Sequence, residues 1–162
     1  MLPEWLPSEL IIRGGSLAAD YETLYSIFTK EIREAELSIE GVPIIVDTTI
    51  DPDFPDYERG FLHLVTRETS DGMRTIDYDR AKKLHWIPHV IRNYTEPEVN
   101  AFWYDAPKGS TLCLWLPDLD HVTILKWTSK SQRRKVIVTA YSVDRQNRRH
   151  FEKLFGRATR IL

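Results

Sequence analysis

Residues 99–141 read VNAFWYDAPKGSTLCLWLPDLDHVTILKWTSKSQRRKVIVTAY. Four runs rich in β-branched and aromatic residues, 99–104, 111–116, 122–127 and 135–141, are separated by short polar turns. Strands joined by turns this short pair antiparallel with their sequence neighbours, so the stretch predicts a four-stranded antiparallel β-meander. Side chains alternate along a strand. In the last run Val136, Val138 and Ala140 form an apolar, core-facing set, and Lys135, Ile137, Thr139 and Tyr141 point the other way. In the third, Val122, Ile124 and Lys126 oppose Thr123, Leu125 and Trp127. An open face mixing aromatic, hydroxyl and basic groups suits RNA, although β-propensity alone also accounts for Thr and Tyr there.

Working outward, Leu24, Ile27, Phe28, Ile32 and Leu37 recur at helical spacing, which predicts a helix from Ser16 or Asp20 to about Leu37. Residues 39–46 read as a strand pair or bent strand turning at Gly41-Val42-Pro43, and residues 51–57 as a Pro/Asp loop. Residues 60–68 form a short regular segment of either type. Residues 77–91 form a second helix, capped by Asp77 or Asp79 and kinked or ended by Pro88. Residues 145–157 form a basic terminal helix. The expected architecture is α+β: N-terminal helices packed on the meander, with a basic C-terminal helix. Residues 1–18 read as an N-terminal extended arm anchored by Trp5 and Leu6, and residues 19–162 as a single domain.

The composition, 42% hydrophobic and 28% charged over 162 residues, is that of one domain with a real core. No apolar run is long enough for a membrane span, and the N-terminus lacks a signal-peptide pattern. The single cysteine, Cys113, excludes a disulfide framework or a Cys-rich zinc site and reads as a small packing residue. These features point to a cytoplasmic protein without a membrane partner. The net charge of −2 conceals a strong asymmetry. Residues 1–60 carry 4 Lys/Arg against 13 Asp/Glu, and residues 126–162 carry 11 against 2. A basic end of this kind fits an anionic partner, and equally a solvated basic helix.

Among five histidines, His63 stands out, in Gly60-Phe61-Leu62-His63-Leu64-Val65-Thr66-Arg67. His63 and Arg67 would share a face whether the segment is helix or strand, and Arg74, Arg80, Lys82 and Lys83 follow. Imidazole moves protons near neutral pH, and arginine forks grip phosphate. A histidine in an apolar run is otherwise a structural residue. His85 and His89 lie at i, i+4 without an acidic partner, so no metal site is expected. Phosphate-binding glycine loops and the nucleophile elbow are absent, so no cofactor is expected either.

The order helix, His-then-Arg segment, Arg-bearing helix and four-stranded meander resembles the barnase/EndoU/colicin/RelE-like (BECR-fold) group of metal-independent ribonucleases, in particular phage- and toxin-associated members. The resemblance rests on Phe61-Leu62-His63, Arg67, residues 74–80 (RTIDYDR), Trp86-Ile87, Phe102-Trp103, Leu114-Trp115-Leu116 and Thr139-Ala140-Tyr141, and spans residues 55–155. It implies an endoribonuclease toxin or phage effector that cleaves tRNA or mRNA by 2′-OH attack, leaving a 2′,3′-cyclic phosphate, and an antidote or immunity protein as partner. His63 would be the general base or acid. Arg67, Arg74 and Arg80 would hold the scissile phosphate, and Thr139 and Tyr141 would hydrogen-bond it or assist proton transfer. Lys83, Lys126, Arg145, Arg148, Arg149 and Lys153 would bind the flanking backbone. The alternatives are a non-catalytic RNA-binding or phage accessory protein of the same fold, and a protein-interaction domain docking through the acidic first third.

Overall fold

The computed structural model describes residues 1–127 and 135–162, with side chains described outside residues 127–138. The turn expected at residues 129–134 therefore lies outside the described residues, as do the side-chain directions of Lys135, Val136, Ile137 and Val138. The chain is α+β.

Helix α1 spans Leu17–Phe28, and its first turn is closed by Ser16, whose hydroxyl accepts the Ala19 amide at 3.1 Å. It thus begins inside the segment read as the arm. A π-helical turn, Thr29–Arg33, carries the spiral on but not to Leu37. Strands β1 (Ser38–Ile39) and β2 (Val42–Ile45) form a hairpin, turned by Glu40 and Gly41 at positive φ. The Pro/Asp segment is another hairpin, β3 (Ile50–Asp51) and β4 (Phe54–Glu58), rather than a loop.

Helix α2 (Arg59–Val65) passes directly into β5 (Thr66–Glu68), which pairs with β6 (Arg74–Ile76). The helix expected over residues 77–91 is two: α3 (Tyr78–Ala81), capped by Asp77, and α4 (Trp86–Arg92). Pro88 neither kinks nor ends α4. It sits in the first turn, where a backbone N–H has no intrahelical acceptor and proline costs nothing.

Strands β7 (Asn100–Ala106), β8 (Gly109–Leu116), β9 (His121–Trp127) and β10 (Lys135–Ser142) follow, joined in sequence order by antiparallel pairing. The sheet is larger than four strands. Among the described residues it has seven, in the order β1-β2-β10-β9-β8-β7-β11, with β2 parallel to β10 and β11 (Arg160–Ile161) on the far edge. Helix α5 (Arg145–Gly156) precedes β11 and is capped by Asp144. The β10 register shifts between Ile137 and Thr139, so one alternation does not run through the whole strand.

Both sheet faces carry buried side chains. Ala101, Leu112, Leu114, Leu125 and Ala140 join the main core with α1, α2 and α4. Phe102, Cys113, Trp115 and Val122 are buried under Phe151 of α5. The expected open face is therefore only half open: α5 covers it towards β7 and β8, while Tyr104, Ile124, Lys126, Thr139 and Tyr141 stay partly exposed. The arm is docked rather than free. Leu6 is buried, the Leu10 amide donates to the Lys82 carbonyl, and the Trp86 indole donates to the Pro7 carbonyl.

Candidate active site

Among the described residues, strand β10 has a strand on both sides only where Lys135 and Val136 pair with Ile44 and Ile45. Helices α2 and α3 also lie close to β10. This brings His63 (α2), Arg80 (α3) and Tyr141 (β10) to one corner of the molecule.

His63 reaches the surface from α2 with its ring partly shielded by neighbouring groups, while the other side of the helix buries Phe61, Leu62, Leu64 and Val65. It borders a cleft of about 250 Å³ lined with Asp51, Arg59, Leu62 and Arg74. Partial burial lowers its pKa, and the positive charges of Arg74, Arg80 and Arg59 lower it further against the opposing pull of Asp47. His63 is accordingly neutral at neutral pH, ready to accept a proton. Asp47 stays ionised: burial works against it, but hydrogen bonds from Thr49 hold it below the usual carboxylate range. Its carbonyl accepts the Gly60 amide at 2.9 Å. Any Cβ at position 60 would lie 2.7 Å from that oxygen, so only glycine lets this loop close on α2.

Arg74 is held from behind, donating to the Thr66 hydroxyl at 3.0 Å, which in turn donates to the Leu62 carbonyl. Arg80 is half-buried, and its guanidinium donates to the carbonyls of His63 (3.0 Å) and Thr66 (3.1 Å), closing the C-terminal end of α2. Its guanidinium carbon stands 5.9 Å from the centre of the Tyr141 ring. Burial raises the Tyr141 pKa, so its phenol remains a proton donor at neutral pH.

Arg80 thus ties the His63 backbone to the Tyr141 ring, and Thr139 lies two residues along β10 from Tyr141, but the cleft beside His63 is lined by Asp51, Arg59, Leu62 and Arg74 and not by Arg80, Thr139 or Tyr141. Arg80 uses one terminal amino group, Nη1, to brace α2. Arg67 does not join Arg74 at the cleft. In the β5–β6 hairpin Glu68 faces Arg74 and Arg67 faces Thr75, so the two arginines point to opposite sides. The helix ends at Val65, between His63 and Arg67, which breaks the spacing that would have aligned them. Lys83 is buried: it donates to the Ser142 hydroxyl at 3.0 Å, lies 3.8 Å from Glu9 and covers the Trp86 ring. It is a packing and strap residue, not a backbone contact for RNA. Arg145, Arg149 and Lys153 are exposed on α5, and Arg148 is paired with Asp120 and Glu152. Lys126 is partly exposed on the part of that sheet face that α5 leaves uncovered.

Sequence reasoning missed Arg59, Asp47 and Asp51. The signal available was Gly60 beside an arginine one residue ahead of the His63 run. No protein-family model, curated protein or solved structure matches the chain. Among the described residues, no helix is long and apolar enough to cross a membrane.

Proposed function

We propose that the protein is a metal-independent endoribonuclease acting in the cytoplasm as a toxin or phage effector. The observation that carries this reading is a neutral, exposed His63 at a cleft whose other polar walls are Arg59, Arg74 and Asp51. Arg74 and Arg59 receive the scissile phosphodiester and the charge that grows on it. His63 takes the proton from the ribose 2′-OH as that oxygen forms its bond to phosphorus. The bond to the 5′-oxygen breaks, and the Tyr141 phenol gives that oxygen its proton. Thr139 hydrogen-bonds a non-bridging oxygen. The products are a 2′,3′-cyclic phosphate and a free 5′-hydroxyl. An enzyme of this kind needs an antidote in its own cell, and an acidic one would suit the basic end of the chain.

A synthetic RNA strand tests the chemistry. Mass spectrometry is expected to find a 2′,3′-cyclic phosphate at each cut, and a single 2′-deoxy substitution is expected to protect its own site. Cleavage that continues at the deoxy position would overturn the mechanism. Salt-sensitive binding without any cleavage would favour the non-catalytic RNA-binding alternative, for which the exposed basic side of α5 is the supporting observation.

A further inference from the structure

On the side of the sheet that α5 covers, the register aligns side chains in rows. Tyr104, Thr111 and Lys126 sit opposite one another, as do Phe102, Cys113, Ile124 and Thr139, and then Trp115, Val122 and Tyr141. Helix α5 lays Phe151 and Phe155 over only part of this surface. Phe155 meets Phe102 at 5.2 Å between ring centres, and Phe151 meets Trp115 at 6.1 Å. Phe102, Cys113, Trp115 and Val122 are shut off, while Tyr104, Lys126, Thr139 and Tyr141 keep partial exposure. The strip therefore leads from Tyr104 and Lys126 to Tyr141, the residue stacked with Arg80.

We propose that this strip is a subsite for single-stranded RNA next to the scissile phosphate, with Tyr104 stacking on a base and Lys126 contacting a phosphate. The proposal rests on the ribonuclease reading of the cleft. Two observations favour this occupant. Tyr104 is a partly exposed ring held by its neighbour Phe102, with ring centres 6.0 Å apart, so stacking on it costs little side-chain ordering. The cation in its row is Lys126, and the exposed side of α5 above the same sheet face adds Arg145, Arg149 and Lys153. An aromatic surface beside a cationic stripe binds single strands through base stacking and backbone charge together.

The test compares a dinucleotide with a strand of about ten nucleotides. Wild type is expected to show a markedly lower KM for the longer strand. Tyr104→Ala raises that KM about 5- to 150-fold, the loss of one base stack, with kcat and dinucleotide cleavage unchanged. Tyr104→Phe restores the wild-type KM. Lys126→Ala lowers the salt dependence of binding by about one phosphate contact. Unchanged dinucleotide cleavage shows that each variant is folded. Equal KM for the two strands, or a Tyr104→Ala variant that matches wild type on the longer one, overturns the subsite and leaves the cleft reading standing. If neither strand is cut, the cleft reading fails. The strip is then decided by anisotropy with a 2′-O-methyl strand, on which Tyr104→Ala must weaken binding by the same factor.

Discussion

The guanidinium of Arg80 bridges two elements far apart in sequence, facing the Tyr141 ring at 5.9 Å while donating to the His63 carbonyl at 3.0 Å. It fixes the helix that carries the proposed base against the strand that carries the proposed acid. Arg80→Met leaves the carbonyls of His63 and Thr66 without these donors and is expected to cost about 1–3 kcal/mol in urea unfolding. Cleavage falls further than stability alone explains. Arg80→Lys, with its single compact ammonium, restores little. A Met variant with full activity and wild-type stability would contradict the brace.

Desolvation of the His63 ring sets the acid limb of the pH–rate profile, and the charges around it tune that limb. The neutral imidazole is the working form, so activity is lost as pH falls through its depressed pKa. Removing a cation in Arg74→Gln raises that pKa and moves the acid limb to higher pH. Removing the carboxylate in Asp47→Asn moves it to lower pH. Limbs that stay put in both variants would exclude His63 as the titrating base.

Lys83 separates packing from RNA contact. Burial lowers its pKa, and its ammonium is occupied by Ser142 and Glu9. Lys83→Met is expected to lower the melting temperature and leave the salt dependence of RNA binding as it was. Arg149→Ala is expected to do the reverse, reducing the salt slope by about one contact without loss of stability.

His121 makes the fold acid-sensitive. It is fully buried against Trp86, and burial, reinforced by Lys83, takes its pKa down to about 3. The unfolded chain protonates this histidine near 6.5 while the folded chain resists, so stability is complete above pH 6.5 and declines below it. At pH 4.5 the loss is about 2–3 kcal/mol from this residue. Urea titrations at pH 7 and 4.5 check it, and His121→Gln is expected to flatten the difference.

Much of this architecture was legible where local rules dominate. The strands from 99 to 141, the Ser16 cap and the terminal basic helix follow from alternation, capping and turn chemistry. The sheet's additions were not. The β2–β10 pair joins residues some ninety positions apart in the chain, and β11 is two residues long, too short for a pattern. The β10 register shift is invisible in a run of alternating β-formers. In the site, His63, Arg74, Arg80 and Tyr141 were each visible as residue types. Whether an arginine faces the cleft or braces a helix depends on tertiary contacts, as Arg67 and Arg80 show. Lys83 read as a surface cation because nothing local reveals that the arm and Ser142 enclose it.

The central claim is that His63 drives metal-independent cleavage of RNA. Total tRNA incubated with pure protein in EDTA, beside His63→Ala of matched folding, measures it directly. The wild type is expected to cut, with the variant at least 100-fold slower, the contribution of a positioned general base. Equal cleavage by both, or none by either, would contradict it.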